Sequence, residues 1–92
     1  MIDIEKLKTF IDHPDLRVRR EVMRYFRSNR IEDQSLLSLA LDSCEHYGYD
    51  ENLFAIYSCN YLHCDHGQAE RLWHVLKSSR NSLVKRHVTG LL

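Results

Sequence analysis

The sequence predicts an all-α protein: a short right-handed stack of three antiparallel helix pairs. Three observations carry this reading. Turn-forming residues are scarce, with Pro14 the only proline and Gly48, Gly67 and Gly90 the only glycines, too few for a β-protein with its many turns. Apolar residues recur at helical spacing in six segments separated by polar breaks. The stretch Val18-Arg19-Arg20-Glu21-Val22 returns 66 positions later as Val84-Lys85-Arg86-His87-Val88, with breaks at His13-Pro14-Asp15 and Ser79-Arg80-Asn81 ahead of the two copies. That offset is two periods of about 33 residues, the length of one helix–turn–helix repeat.

The first helix is expected over Asp3–Ile11, with Ile4, Leu7, Phe10 and Ile11 on one face and Asp3 as its N-cap. Pro14 ends it, because the residue before a proline avoids the helical region. The second helix runs from Asp15 to about Asn29, with Val18, Val22 and Phe26 at i, i+4 and i+8. The third spans Asp33 to about His46, with Gly48 as its C-terminal stop. The fourth, about Asp50–Leu62, is apolar nearly all round, which predicts a central helix covered on both sides. The fifth covers about Gly67–Ser78, with Ala69, Leu72, Trp73, Val75 and Leu76 inward, and the sixth Asn81–Leu92. A middle repeat is fainter: Asp50-Glu51-Asn52-Leu53 matches Asp15-Leu16-Arg17-Val18 without the paired bases.

The segment Ile11-Asp12-His13-Pro14-Asp15-Leu16-Arg17-Val18-Arg19-Arg20-Glu21-Val22-Met23-Arg24-Tyr25-Phe26 resembles a HEAT-like repeat. Repeats of that family commonly carry an Asp-Pro-type turn, then a valine–arginine pair opening the second helix. Ser82–Leu92 is similar to the start of another such helix. The resemblance implies one HEAT-like domain over residues 1–92; bulky Met23 and Tyr25 and the base-free middle repeat leave an armadillo-like or generic α-hairpin stack open beside it. It also implies that Arg20 and Arg86 serve the stack, because an aspartate at the helix start of such repeats contacts an arginine of a neighbouring repeat. Gly90-Leu91-Leu92 closes an apolar helix without a cap. Either the chain is the N-terminal fragment of a longer array, or these leucines fold back; uncovered with Val84 and Val88, they form an edge for self-association through the C-terminal helix.

Composition excludes several function classes. Thirteen Lys and Arg balance thirteen Asp and Glu, so any electrostatic binding depends on local pattern. No apolar run is long enough to span a bilayer, which argues against a membrane partner, and the acidic start Ile2-Asp3-Ile4-Glu5 is unlike a signal peptide. Cys44, Cys59 and Cys64, an odd set without a disulfide framework, fit free thiols in a reducing cytoplasm.

Arg17, Arg20, Arg24 and Arg27 fall at i, i+3, i+7 and i+10, so four guanidiniums share one face of the second helix. Arg19 and Arg30 flank them, and Lys85 and Arg86 recur in the last helix. Arginine forks suit carboxylates and phosphates. The plainer reading is a solvated face with local pairs such as Glu21–Arg24. Cys59, His63, Cys64 and His66 are the cluster with metal-ligand chemistry, but they lack a Cys-x-x-Cys pair and adjacent His63 and Cys64 diverge by about 100°, so no metal or cofactor is expected. Cys64 beside His63 or His66 has no orienting third group or oxyanion loop, so no catalytic role is expected. Trp73 and most tyrosines read as packing, whereas Tyr47 and Tyr49 flank Gly48 in a turn and read as partner-binding aromatics.

These features converge on a non-catalytic protein-interaction or scaffold module, with the second helices of the pairs lining the binding face for an acidic protein partner. The alternative is nucleic-acid backbone binding through Arg17, Arg20, Arg24, Arg27, Lys85 and Arg86.

Overall fold

The computed structural model describes residues 2–92. Six α-helices and one 3-10 turn occur among them, and no strand. The first element is shorter than its pattern. Asp3 caps α1 (Ile4–Lys8) by accepting the Lys6 N–H at 3.2 Å, and the chain then tightens into a 3-10 turn at Thr9–Asp12. Tightening brings a helix end to its stop within a few residues, and here His13 leaves for extended backbone ahead of Pro14.

Asp15 caps α2 (Leu16–Ser28) through the Arg17 N–H at 2.9 Å. The helix ends without glycine: Arg30 takes the left-handed conformation (φ 44°) while the Ile31 N–H reaches back to the Phe26 carbonyl at 3.2 Å. That pair of features is a Schellman stop. Asp33 starts α3 (Ser35–Tyr47), accepting from the Ser35 amide and hydroxyl at 3.0 and 2.6 Å, and Gly48 ends it at φ 100°.

The fourth helix departs most from expectation. α4 is only Leu53–Ser58, and Cys59, Asn60 and Leu62 leave it through i to i−3 bonds. Two clamps account for this. At the start, the Asn52 side chain caps nothing and turns into the core; at the end, the Tyr61 hydroxyl donates to the carbonyls of Phe26 (3.1 Å) and Ile31 (2.7 Å). Nor is α4 covered all round, because Tyr57 is 38% exposed. α5 (His66–Ser78) begins in a capping box between Asp65 and Gln68, and Asn81 caps α6 (Ser82–Leu91) through the amides of Leu83 and Val84.

Packing follows a regular pattern. The 3-10 turn touches α1, α2 and α3; α3 touches α4 and α5; α4 touches α2 and α6; α5 touches α6. The core between them is fully apolar at Ile11, Met23, Phe26, Leu36, Leu37, Leu41, Ile56, Leu72, Val84 and Val88. Val84, Val88 and Leu91 are therefore inside the molecule and do not form the expected open edge. Trp73 is the converse correction: it is 53% exposed, with Leu83 and Leu92 also exposed, because its position on α5 falls outside the stripe of Leu72 and Val75.

Two buried polar chains tie the helices together. Arg19, 3% exposed, donates to the carbonyls of His13 (2.9 Å) and Pro14 (3.1 Å) and to Asn52 Oδ1 (3.3 Å). Asn52 donates onward to the Ser43 carbonyl and hydroxyl, and Ser43 donates to the Ile11 carbonyl at 3.0 Å. Gln68 plays the same part lower down, donating to the Gln34 carbonyl and Ser38 hydroxyl while its own oxygen accepts from Asp65 and Gln34. Buried polar groups without such partners would destabilise the fold, so these chains dictate how neighbouring helices register. Among the described residues no helix is long and apolar enough to cross a membrane.

Candidate functional site

A groove of about 560 Å3 runs between α2 and α4, lined by Arg20, Arg24, Arg27, Ser28, Arg30, Phe54, Tyr57 and Ser58. Helical spacing brings Arg20, Arg24 and Arg27 to one side of α2, and the Schellman turn carries Arg30 to the end of that row. α4 contributes the rings. Arg27 donates to the Tyr57 hydroxyl at 2.7 Å and its guanidinium carbon sits 4.1 Å from the ring centroid; Arg20 lies 5.6 Å from that of Phe54. Outside the groove, His87 of α6 meets the Tyr57 ring edge-on at 5.4 Å.

The charges in this groove are largely uncommitted. Among the described residues, Arg20, Arg27 and Arg30 have no carboxylate partner. Arg24 pairs with Glu21 at 3.2 Å, but both side chains are exposed and such a pair is worth about 0–1 kcal/mol. Arg17 belongs elsewhere: it folds back on Asp15 at 3.4 Å, and that contact, first through the Arg17 amide, holds the Asp15 carboxyl below its ordinary range. Lys85 and Arg86 are exposed on α6 and do not line the groove. The expected row of Arg17, Arg20, Arg24 and Arg27 with Lys85 and Arg86 is thus split, with Arg20, Arg24 and Arg27 together and the others apart.

The base that serves the packing is Arg19, not Arg20. Arg20 stays exposed, and Arg19 turns inward beneath Tyr47, 3.8 Å from the ring centroid. Tyr47 and Tyr49 are half-buried rather than presented at a loop tip. Tyr47 donates to the Asp12 carbonyl at 3.0 Å, and the Tyr49 hydroxyl is buried without a partner among the described residues. Both line a second, larger cleft of about 970 Å3 between the end of α3, the 48–51 turn and α5. Its arginine, Arg71, is already held by Asp42 at 2.8 Å and Glu45 at 3.1 Å.

Cys59, His63, Cys64 and His66 do not converge. Cys59 is in the core, Cys64 donates to the Leu91 carbonyl at 3.3 Å, His63 is exposed, and His66 faces Glu70 at 3.1 Å. Among the described residues no group of three or more His, Cys, Asp or Glu is arranged to hold a metal ion. Burial pushes the thiols of Cys44 and Cys59 up to about 12, which keeps them protonated near neutrality. The residues that sequence reasoning passed over are Phe54, Tyr57 and Ser58, read as the body of a covered helix; the available signal was Tyr57, a polar ring in an apolar run.

Compared with protein-family models, with curated proteins and with solved structures, the chain matches none of them.

Proposed function

We propose that this chain is a non-catalytic binding module whose face formed by α2, α4 and α6 holds an acidic protein partner. The observation that carries the proposal is the α2–α4 groove, where Arg20, Arg27 and Arg30 meet Phe54 and Tyr57 without a carboxylate partner among the described residues. Guanidiniums laid on aromatic rings keep their N–H edges available to an oxyanion, and arginine and aromatic side chains dominate binding hot spots.

The architecture is a short HEAT-like solenoid of three helix pairs, with α2, α4 and α6 in one row and the 3-10 turn, α3 and α5 in the other. Its support is the recurrence of one spacing in the cross-links: Arg19 to Asn52 is 33 residues apart, Arg71 to Ser38 also 33, and Tyr61 to Phe26 is 35. A repeat of about this length is one helical hairpin. The free cysteines fit a reducing cytoplasm as its setting.

The test is a titration of the protein with a glutamate-rich peptide, followed by amide chemical shifts. Binding that moves residues 20–30 and 54–58, and that is lost in the triple variant Arg20→Glu, Arg24→Glu, Arg27→Glu with its helical spectrum intact, supports the module. An unchanged spectrum on addition of the peptide refutes it.

A further inference from the structure

We infer that the α2–α4 groove is a seat for the phosphate of a phosphorylated side chain in an acidic peptide. This rests on the acidic-partner reading above and names the chemistry at its centre. A carboxylate carries one negative charge and is satisfied by a single guanidinium fork. A phosphate monoester carries a charge of about −1.5 to −2 at neutral pH and three acceptor oxygens. Four arginines line one groove here, and the only carboxylate paired with any of them among the described residues is that of exposed Glu21. Like charges gathered without counter-charge repel one another, and a dianion with several acceptors offsets that repulsion where a monoanion cannot.

The aromatic floor adds to the fit. Arg27 is fixed by its bond to the Tyr57 hydroxyl and by its place over that ring, while Arg20 lies over Phe54. Ordering a guanidinium in advance lowers the entropy lost when an anion binds. Ser28 and the buried Ser58 complete the wall.

The extent of the positive charge separates this from a nucleic-acid track. A polyanion backbone needs a continuous row of bases. Here Arg17, at one end of α2, is folded onto Asp15, and Lys85 and Arg86 lie outside the groove on α6. The 560 Å3 between α2 and α4 suits one charged side chain and its neighbours, not a strand.

Three peptides of one length test the assignment: an acidic sequence with a central serine, the same with phosphoserine, and the same with glutamate there. The phosphoserine peptide should bind about tenfold more tightly than either of the others. The double variant Arg20→Lys with Arg24→Lys keeps both charges but not the forks, so it should lose that preference while folding normally. Independently of any variant, inorganic phosphate should shift amides confined to residues 20–30 and 54–58. Equal binding of the three peptides, a preference that survives the lysine variant, or phosphate shifts elsewhere overturns the phosphate seat and leaves the acidic-partner module standing. No binding by any peptide overturns both, as does a single-stranded oligonucleotide that binds at physiological salt in preference to all three.

Discussion

Arg19 and Arg20 are adjacent, identical in type and opposite in fate. Successive helical residues point about 100° apart, so when Val18, Val22 and Phe26 face the core, one arginine of the pair is drawn inward and the other left in water. Arg19 reaches three acceptors, the carbonyls of His13 and Pro14 and the Asn52 amide oxygen, without a carboxylate. Its removal leaves the buried Asn52 amide oxygen and two part-buried carbonyls without this donor, so Arg19→Ala should cost about 3 kcal/mol in urea unfolding, whereas Arg20→Ala should stay within about 0.5 kcal/mol. Tyr49 is the reverse case. Its hydroxyl is buried with no partner among the described residues, and a buried donor left unpaired is a net cost. Tyr49→Phe should therefore unfold at a midpoint equal to or above that of the parent; a clear loss of stability would mean that the hydroxyl has a partner in solution.

At the scale of elements, the ends of helices carry more information than their middles. α2 closes with arginine in a conformation that favours glycine, at φ 44°. Arg30→Gly should raise stability by about 0.5–1 kcal/mol, the relief of the left-handed backbone less the greater freedom of glycine when unfolded. The same change removes one wall of the groove, so stability and phosphate affinity should move in opposite directions. α5 shows the opposite economy, since its capping box also ties it to α3: Gln68 bonds its own N-cap residue, the Gln34 carbonyl and the Ser38 hydroxyl at once.

For the molecule as a whole, the apolar seam through α2, α3, α4, α5 and α6 is continuous, and so one charge placed in it should be felt everywhere. Val22 is 5% exposed, in the helical stripe between Val18 and Phe26, and Val22→Asp should remove the helical circular dichroism at room temperature, because an unpaired buried carboxylate costs several kcal/mol, comparable with the whole stability of a small domain. Alkali should act through the same core. Burial pushes Cys44, Cys59, Tyr49 and Tyr61 up to about 12, from ordinary values of 9.0 for the thiols and 10.0 for the phenols. The unfolded chain loses these protons first, so their contribution to stability is whole below pH 9.0 and declines as pH rises towards about 12. A pH series of urea midpoints should fall across that window. Near neutrality, a thiol reagent should modify half-buried Cys64 and leave Cys44 and Cys59 until the protein unfolds.

What the sequence by itself determined is the set of elements and their order. Helical periodicity, few glycines and one proline account for six helices, and caps such as Asp3, Asp15 and Asn81 mark their starts from local chemistry alone. Three of the bases that line the groove were legible too, because Arg20, Arg24 and Arg27 share a face by spacing within one helix. The tertiary structure decided everything that depends on a second element. Only packing against Asn52 and Tyr47 selects Arg19 as the buried base, only the Phe26 and Ile31 carbonyls hold Tyr61 and shorten α4, and only the approach of α4 to α2 sets Phe54 and Tyr57 beneath the arginines. Periodicity describes one helix at a time, while burial and hydrogen-bond satisfaction are settled between helices, by groups some 30 residues apart.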